Sequence, residues 1–197
     1  MKIALTGHTK GIGAATMQLL EAAGHEVVGF SRTTGHNIMK PKGIVNAALD
    51  CDVFINNAWM PDAQPRLMYL MYEAWENQPK HIINLSSTAG DYPDFFAMYG
   101  FNSWVPYVSD KQRLDEASYN LSRVWKPGKC KVTNIRPHWV RSAAIETFMS
   151  MLTEHQIPLL EPEQVAEMIV YAVNSPQNLQ LRRIDFDAGT HVGINTD

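Results

Sequence analysis

Lys2-Ile-Ala-Leu-Thr6-Gly7-His-Thr-Lys-Gly11-Ile-Gly13 stands near the start of the chain and decides how the rest is read. A short apolar run ends in a glycine-rich turn. Ala14 to Ala23 then reads as a helix stopped by Gly24. Strand, glycine turn and helix in this order are the context that a dinucleotide-binding turn requires. The glycines allow a tight bend and close backbone approach, and the N–H groups opening the helix face a pyrophosphate. The plainer alternative is an ordinary βα turn.

Downstream, apolar runs alternate with helical stretches. Glu26 to Arg32, Cys51 to Ala58, Lys80 to Leu85, Lys131 to Pro137 and Leu181 to Asp187 read as strands. Pro41 to Leu49, Arg66 to Asn77, Tyr107 to Trp125, Ala143 to His155 and Glu161 to Val173 read as helices, and Thr34 to Ile38 as a minimal edge strand. Strands alternating with helices imply an α/β fold with a doubly wound parallel sheet in one domain, residues 1–197. In the Arg66–Asn77 segment Leu67, Leu70, Met71, Ala74 and Trp75 share an apolar face, read as core or subunit interface.

The bulk numbers narrow the function. A net charge of −3 offers no surface for a polyanion, so nucleic acid is not an expected partner. Cys51 and Cys130 are far apart without a CxxC pair and read as reduced thiols in or near the core. The first apolar run is too short for a signal or membrane-spanning segment, so the expectation is a soluble, cytoplasmic protein without a metal site.

Chemistry gathers in the middle of the chain. Ser86 and Ser87 end the strand His81-Ile-Ile-Asn-Leu85. Tyr107 and Lys111, four apart, open a long helix and share a face. The ammonium beside the phenol favours its ionised form, and a serine hydroxyl at the same point can bind a carbonyl oxygen. Together these make a proton donor and an oxyanion site. Between Ser87 and Tyr107 runs a segment rich in aromatics, with Tyr92, Phe95, Phe96, Tyr99, Phe101 and Trp104. It reads either as a substrate wall or lid, or as a satellite hydrophobic cluster under a loop. Those rings, with Trp59 and Trp139, suggest a substrate with an apolar or planar part. Asn56 and Asn57 end the third long strand, with both structural and cofactor-edge readings open. At the end of the second strand an acid would bind the 2′-hydroxyl of NAD. Ser31-Arg32 stands there instead, and Lys10 lies in the glycine turn. Two cations and a hydroxyl favour a 2′-phosphate, hence NADP(H) over NAD(H); the alternative is solvating surface charge.

The set Thr6-Gly7-xxx-Gly11-Ile12-Gly13, Asn56-Asn57-Ala58, Ser87, Tyr107-xxx-Lys111 and Pro137-xx-Val140-x-Ser142 resembles the short-chain dehydrogenase/reductase family from end to end. Pro162 to Ala166 and Ile184 to Gly189 add weaker support. The resemblance implies a Rossmann-like sheet in the order 3-2-1-4-5-6-7 and a homodimer or homotetramer paired through helices 66–78 and 107–125. It implies an oxidoreductase using NADP(H) on a small-molecule carbonyl or alcohol, with Tyr107 as general acid, Ser87 polarising the carbonyl, and Lys111 lowering the Tyr pKa and binding the nicotinamide ribose. Cofactor contacts are expected from Gly7, Thr9, Lys10, Gly11, Ile12, Gly13, Ser31, Arg32, Asn37, Asn57, Ala58, Tyr107, Lys111, Pro137, Val140 and Ser142. The chain also departs from the pattern. The segment before Asn56 is short, and Asn37 stands where an acid usually contacts adenine. Trp59 and His138 replace glycines. The helix asparagine of the family's proton relay has no counterpart at its usual place, Asn77 being the one nearby. Two rival readings are a nucleotide-binding sensor without turnover and a nucleotide-sugar epimerase or reductase.

Overall fold

The computed structural model describes residues 1–98 and 100–189; Tyr99 of the aromatic segment and the polar tail after Gly189 lie outside the described residues. Six parallel strands form one sheet, in the order β2-β1-β3-β4-β5-β6. They are β1 (Lys2–Thr6), β2 (Glu26–Phe30), β3 (Val53–Asn56), β4 (His81–Leu85), β5 (Lys131–Pro137) and β6 (Arg183–Phe186). The helices are α1 (Gly11–Ala22), α2 (Pro41–Ala48), α3 (Ala63–Trp75), α4 (Pro93–Met98), α5 (Val105–Arg123), α6 (Met149–Glu154) and α7 (Pro162–Val173).

The central strands are covered on both faces, which is why they read as unbroken apolar runs. Alternate residues serve opposite faces. Ala4, Phe54, Ile82 and Val132 pack under α2, α3 and α5, where Leu67, Met68, Met71 and Trp75 of α3 are buried. Leu70 and Ala74, placed on that face by the sequence, are only partly buried. Ile3, Leu5, Ile55, Ile83 and Ile135 pack against α1 and α7 through Leu20, Val165 and Ile169. Cys51 and Cys130 are buried, free thiols. β1 pairs with β2 on one side and β3 on the other. The winding direction therefore reverses beside β1, and a crevice opens at the carboxyl ends of these strands.

The expected edge strand at Thr34–Ile38 does not form, so the sheet has six strands among the described residues rather than seven. Arg32–Thr34 is a 3-10 turn instead. The Ser31 hydroxyl accepts from Thr34 N at 3.3 Å, and Ser31 N donates to the Thr34 hydroxyl at 3.0 Å. Such local bonds compete with an extended conformation, and Gly35 ends the turn at φ 79. α3 begins three residues before the expected Arg66, with Pro65 inside its first turn, where its missing N–H costs nothing. The Ala143–His155 segment divides into a 3-10 stretch, Ala143–Phe148, followed by α6.

The aromatic segment is not a plain loop. It forms a 3-10 turn, Thr88–Asp91, then α4, then a second turn, Asn102–Trp104. Its Phe96 joins Val108, Ile145, Phe148 and Leu152 in a third apolar cluster over the strand ends. Among the described residues no helix is long and apolar enough to cross a membrane.

Candidate active site

A cavity of about 670 Å³ opens at the carboxyl ends of the strands. Its floor is the glycine turn, through Lys10, Ile12 and Gly13. Gly13 is required there, because a Cβ would stand 2.1 Å from Gly7 O and 2.8 Å from Asn57 Nδ2. Gly11, at φ +53, has open space where a Cβ would be. The backbone is thus pressed against β1 and β3 on one side and bare on the other. Among the described residues no side chain caps the α1 N-terminus, and its first turn holds no acid, so its N–H groups remain available to an anion. Gly13→Ala must displace backbone, and is expected to cost about 1–3 kcal/mol or more, read as a lowered thermal midpoint.

Asn57 locks this turn to β3. Its Nδ2 donates to Thr6 O at 2.8 Å and Gly7 O at 3.3 Å, and the backbone N–H groups of Asn57 and Ala58 both donate to the Thr6 hydroxyl at 3.0 Å. Asn56 is spent inside the fold, donating to Gln64 O at 3.0 Å and to Asn84 Oδ1 at 2.9 Å.

Ser86 and Ser87 leave β4 in opposite senses. The Ser86 hydroxyl donates to Lys111 O at 3.4 Å, anchoring α5. The Ser87 hydroxyl accepts from Ala89 N at 3.1 Å and reaches Pro137 O at 3.5 Å, between the ends of β4 and β5. Tyr107, in the first turn of α5, lines the cavity with Ser87 and Lys111. Pro137, Val140 and Ser142 also line it.

The electrostatics differ from the expectation that Lys111 lowers the Tyr107 pKa. Burial pushes the Tyr107 phenol up to about 12, against a hydrogen bond with Ser87 that pulls it down. The Lys111 ammonium lies 5.1 Å from the centre of the Tyr107 ring. It donates elsewhere, to Gln64 Oε1 at 2.8 Å and Leu85 O at 2.7 Å. Burial also lowers Lys111 to about 7, with the Asp115 carboxylate opposing.

Two indoles flank Tyr107. Trp59 and Trp104 meet its ring edge-on, with centres 5.2 and 5.3 Å away. Trp59 is held from α5 itself, its Nε1 donating to Asp110 Oδ2 at 2.9 Å. Asp110 is buried, and the same oxygen accepts from Asp62 N at 3.0 Å. Phe96, Tyr92 and Trp139 complete the apolar wall, so the aromatic segment is both cluster and cavity lining. His138 also lines the cavity, and burial lowers its pKa.

Not every expected residue reaches this cavity. Gly7, Thr9, Gly11 and Ala58 belong to the turns behind it, while Ser31, Arg32 and Asn37 lie outside its lining. The Ser31 hydroxyl is tied to Thr33 at 2.7 Å, and Asn37 Oδ1 accepts from Met39 N at 2.9 Å. Asn77 lies beyond α3 on the surface, where it accepts from the Lys129 ammonium. Gln64, unremarked in the sequence, is fully buried against Lys111.

No protein-family model matches the chain, and no curated protein sequence does. Solved structures do match. The 3-alpha-hydroxysteroid dehydrogenase of Pseudomonas sp. B-0831, complexed with NADH, is 18% identical at a TM-score of 0.77, with 96% of each chain covered. A short chain dehydrogenase from Burkholderia cenocepacia J2315 in complex with NADP is 16% identical at 0.73, covering 95% of this chain and 96% of that one. The fold is that of the short-chain dehydrogenases/reductases. A serine dehydrogenase complexed with NADP+ shares this short-chain dehydrogenase/reductase architecture at 16% identity and a TM-score of 0.72, over 98% and 99% of the two chains.

Proposed function

We propose that the protein is an NAD(P)H-dependent oxidoreductase that reduces a ketone or aldehyde to an alcohol. The observation that carries this reading is the meeting of Ser87, Tyr107 and Lys111 in one cavity with an uncapped helix N-terminus on its floor. The bare Gly11 backbone and the open α1 N-terminus fit a pyrophosphate. A bound nicotinamide supplies the hydride. Tyr107 gives its proton to the carbonyl oxygen as charge develops there, and the Ser87 hydroxyl holds that oxygen. Burial keeps the Tyr107 phenol protonated, so it has a proton to give. Lys111 presents its remaining proton to the cavity. Pro137, Val140 and Ser142 line the same cavity and help exclude water from it.

Lys10 and Arg32 favour NADP(H). Both are exposed, and Ser31 rather than an acid follows β2, where a 2′-phosphate would sit. Replacing both by alanine is expected to weaken NADPH binding by about 10- to 100-fold and to leave NADH nearly unaffected, since a charge-assisted bond contributes about 1.5–3 kcal/mol. Fluorescence titration with each nucleotide measures the difference.

Among the described residues the charged side chains lining the cavity are Lys10 and Lys111, and the remaining wall is dominated by aromatic rings. An anionic substrate would lose hydration there and meet no cation away from the cofactor end. The substrate is therefore an uncharged carbonyl compound with a planar or apolar body. NADPH oxidation with 2-tetralone, cyclohexanone, pyruvate and 2-oxoglutarate tests this: the ring ketones are expected to turn over best. Preference for the keto acids would reverse the assignment.

A further inference from the structure

The Gln64 side chain sits where the ends of β3 and β4 meet α5, with no solvent exposure. Its Nε2 lies 2.7 Å from Asn56 O and 2.9 Å from Leu85 O. Both partners are backbone carbonyls, which accept and cannot donate, so the nitrogen must face them. The amide orientation is thereby fixed, and Oε1 is left to face the Lys111 ammonium at 2.8 Å. Leu85 O receives Lys111 as well, at 2.7 Å. An ammonium carries three donors. Two are spent on these oxygens, and the third remains for the cavity that Lys111 lines. We propose that Gln64 is a positioning residue for Lys111, holding the amine in its charged form and in one orientation, and so setting the upper pH limit of activity.

This rests on the Tyr107–Lys111 reading of the site. The charged groups facing Lys111 are Asp110 and Asp115, both on its own helix. Asp115 is engaged by Arg136 at 2.9 Å and Asn134 at 2.6 Å, and Asp110 by Arg113 and the Trp59 indole. From β4 and α3 the facing groups are neutral, namely Leu85 O and Gln64. Burial opposes the charge, and these two acceptors counter that pull. Losing one acceptor favours the neutral amine. The Lys111 titration should then fall by about one pH unit, the size expected for one hydrogen bond to a charged group.

The test needs no substrate at its first stage. Competitive acetylation of the free protein with acetic anhydride across pH, with mass spectrometry of the Lys111 peptide, gives the amine's apparent pKa. Gln64→Met, of similar volume, is expected to titrate about one unit below the parent. Gln64→Glu keeps the length and places a carboxylate beside the ammonium, so it should titrate above the parent, although its second oxygen faces two carbonyls and lowers the melting temperature. Opposite shifts in two variants are not produced by a merely structural role. The alkaline fall of kcat/KM for NADPH with 2-tetralone should move in the same directions.

A Lys111 titration that is the same in both variants as in the parent overturns the proposal. So does a pH–rate profile that ignores the shifts while Tyr107→Phe abolishes turnover. Full activity in Tyr107→Phe would instead remove the acid–base reading, whatever Gln64 does.

Discussion

Tyr107→Phe should lose about 10²- to 10⁴-fold in kcat for carbonyl reduction, the range that a positioned general acid supplies. The substitution removes the phenolic oxygen and little else. Phenylalanine keeps the edge contacts that Trp59 and Trp104 make with the ring, and the ring face near the Lys111 ammonium. The phenol meets the Ser87 hydroxyl, which retains Ala89 N and Pro137 O without it. Melting temperature and NADPH affinity should therefore stay near the parent values while turnover collapses. Steady-state kinetics with a fluorescence titration separates the two. Equal loss of binding and turnover would mean that the ring, and not its proton, is what the site needs.

The largest expected effect on stability lies beneath the site. Arg136, near the end of β5, has a fully buried side chain that meets three carboxylates: Asp91 at 2.6 Å, Asp115 at 2.9 Å and Asp185 at 3.0 Å. Asp91 follows Ser87 in the first turn of the aromatic segment, Asp115 lies one turn beyond Lys111 on α5, and Asp185 is on β6. One guanidinium thus ties together the segments that carry Ser87, Tyr107 and Lys111, the proposed catalytic side chains. Arg136→Met leaves these carboxylates facing one another without their cation. Burial already raises Asp115 and Asp185, and removing Arg136 raises them further. Breaking a buried ion pair costs about 3–5 kcal/mol, or a fall of roughly 10 °C in thermal midpoint for a domain of this size. Arg136→Lys should recover only part of it, because a single ammonium cannot meet three partners from one plane. A melting curve for Arg136→Met within about 2 °C of the parent would show that the cluster contributes little.

What the sequence revealed follows from which signals are periodic or local. The βα turn at Thr6–Gly13, the central strands and the long α5 are legible because apolar runs and glycines in fixed places leave few alternatives. The Tyr107–Lys111 spacing places both side chains on one face, and both line the cavity. Other features depend on contacts that no local pattern carries. Gln64 stands just before the helix read from Arg66, and its role exists only once β3, β4 and α5 converge. The phenol–lysine coupling expected from spacing alone competes with those partners, to which Lys111 donates. The missing edge strand had a local signal after all. Ser31 and Thr34 stand three apart before Gly35, a capping pattern stronger than the extended tendency of five residues. α4 was hidden because the aromatic segment lacks a helical repeat, and its order comes from packing against Val108 and Phe148.

The proposed reaction is hydride delivery to a carbonyl carbon in the cavity above the glycine turn. The most direct measurement is single-turnover reaction of the protein with NADPH deuterated at C4 of the nicotinamide and 2-tetralone, followed by mass spectrometry of the product. The expected product is 2-tetralol carrying one deuterium at the carbinol carbon, formed about 10²- to 10⁴-fold more slowly by Tyr107→Phe. Tight NADPH binding with the label retained on the nucleotide, for 2-tetralone and for every other carbonyl tried, would contradict it.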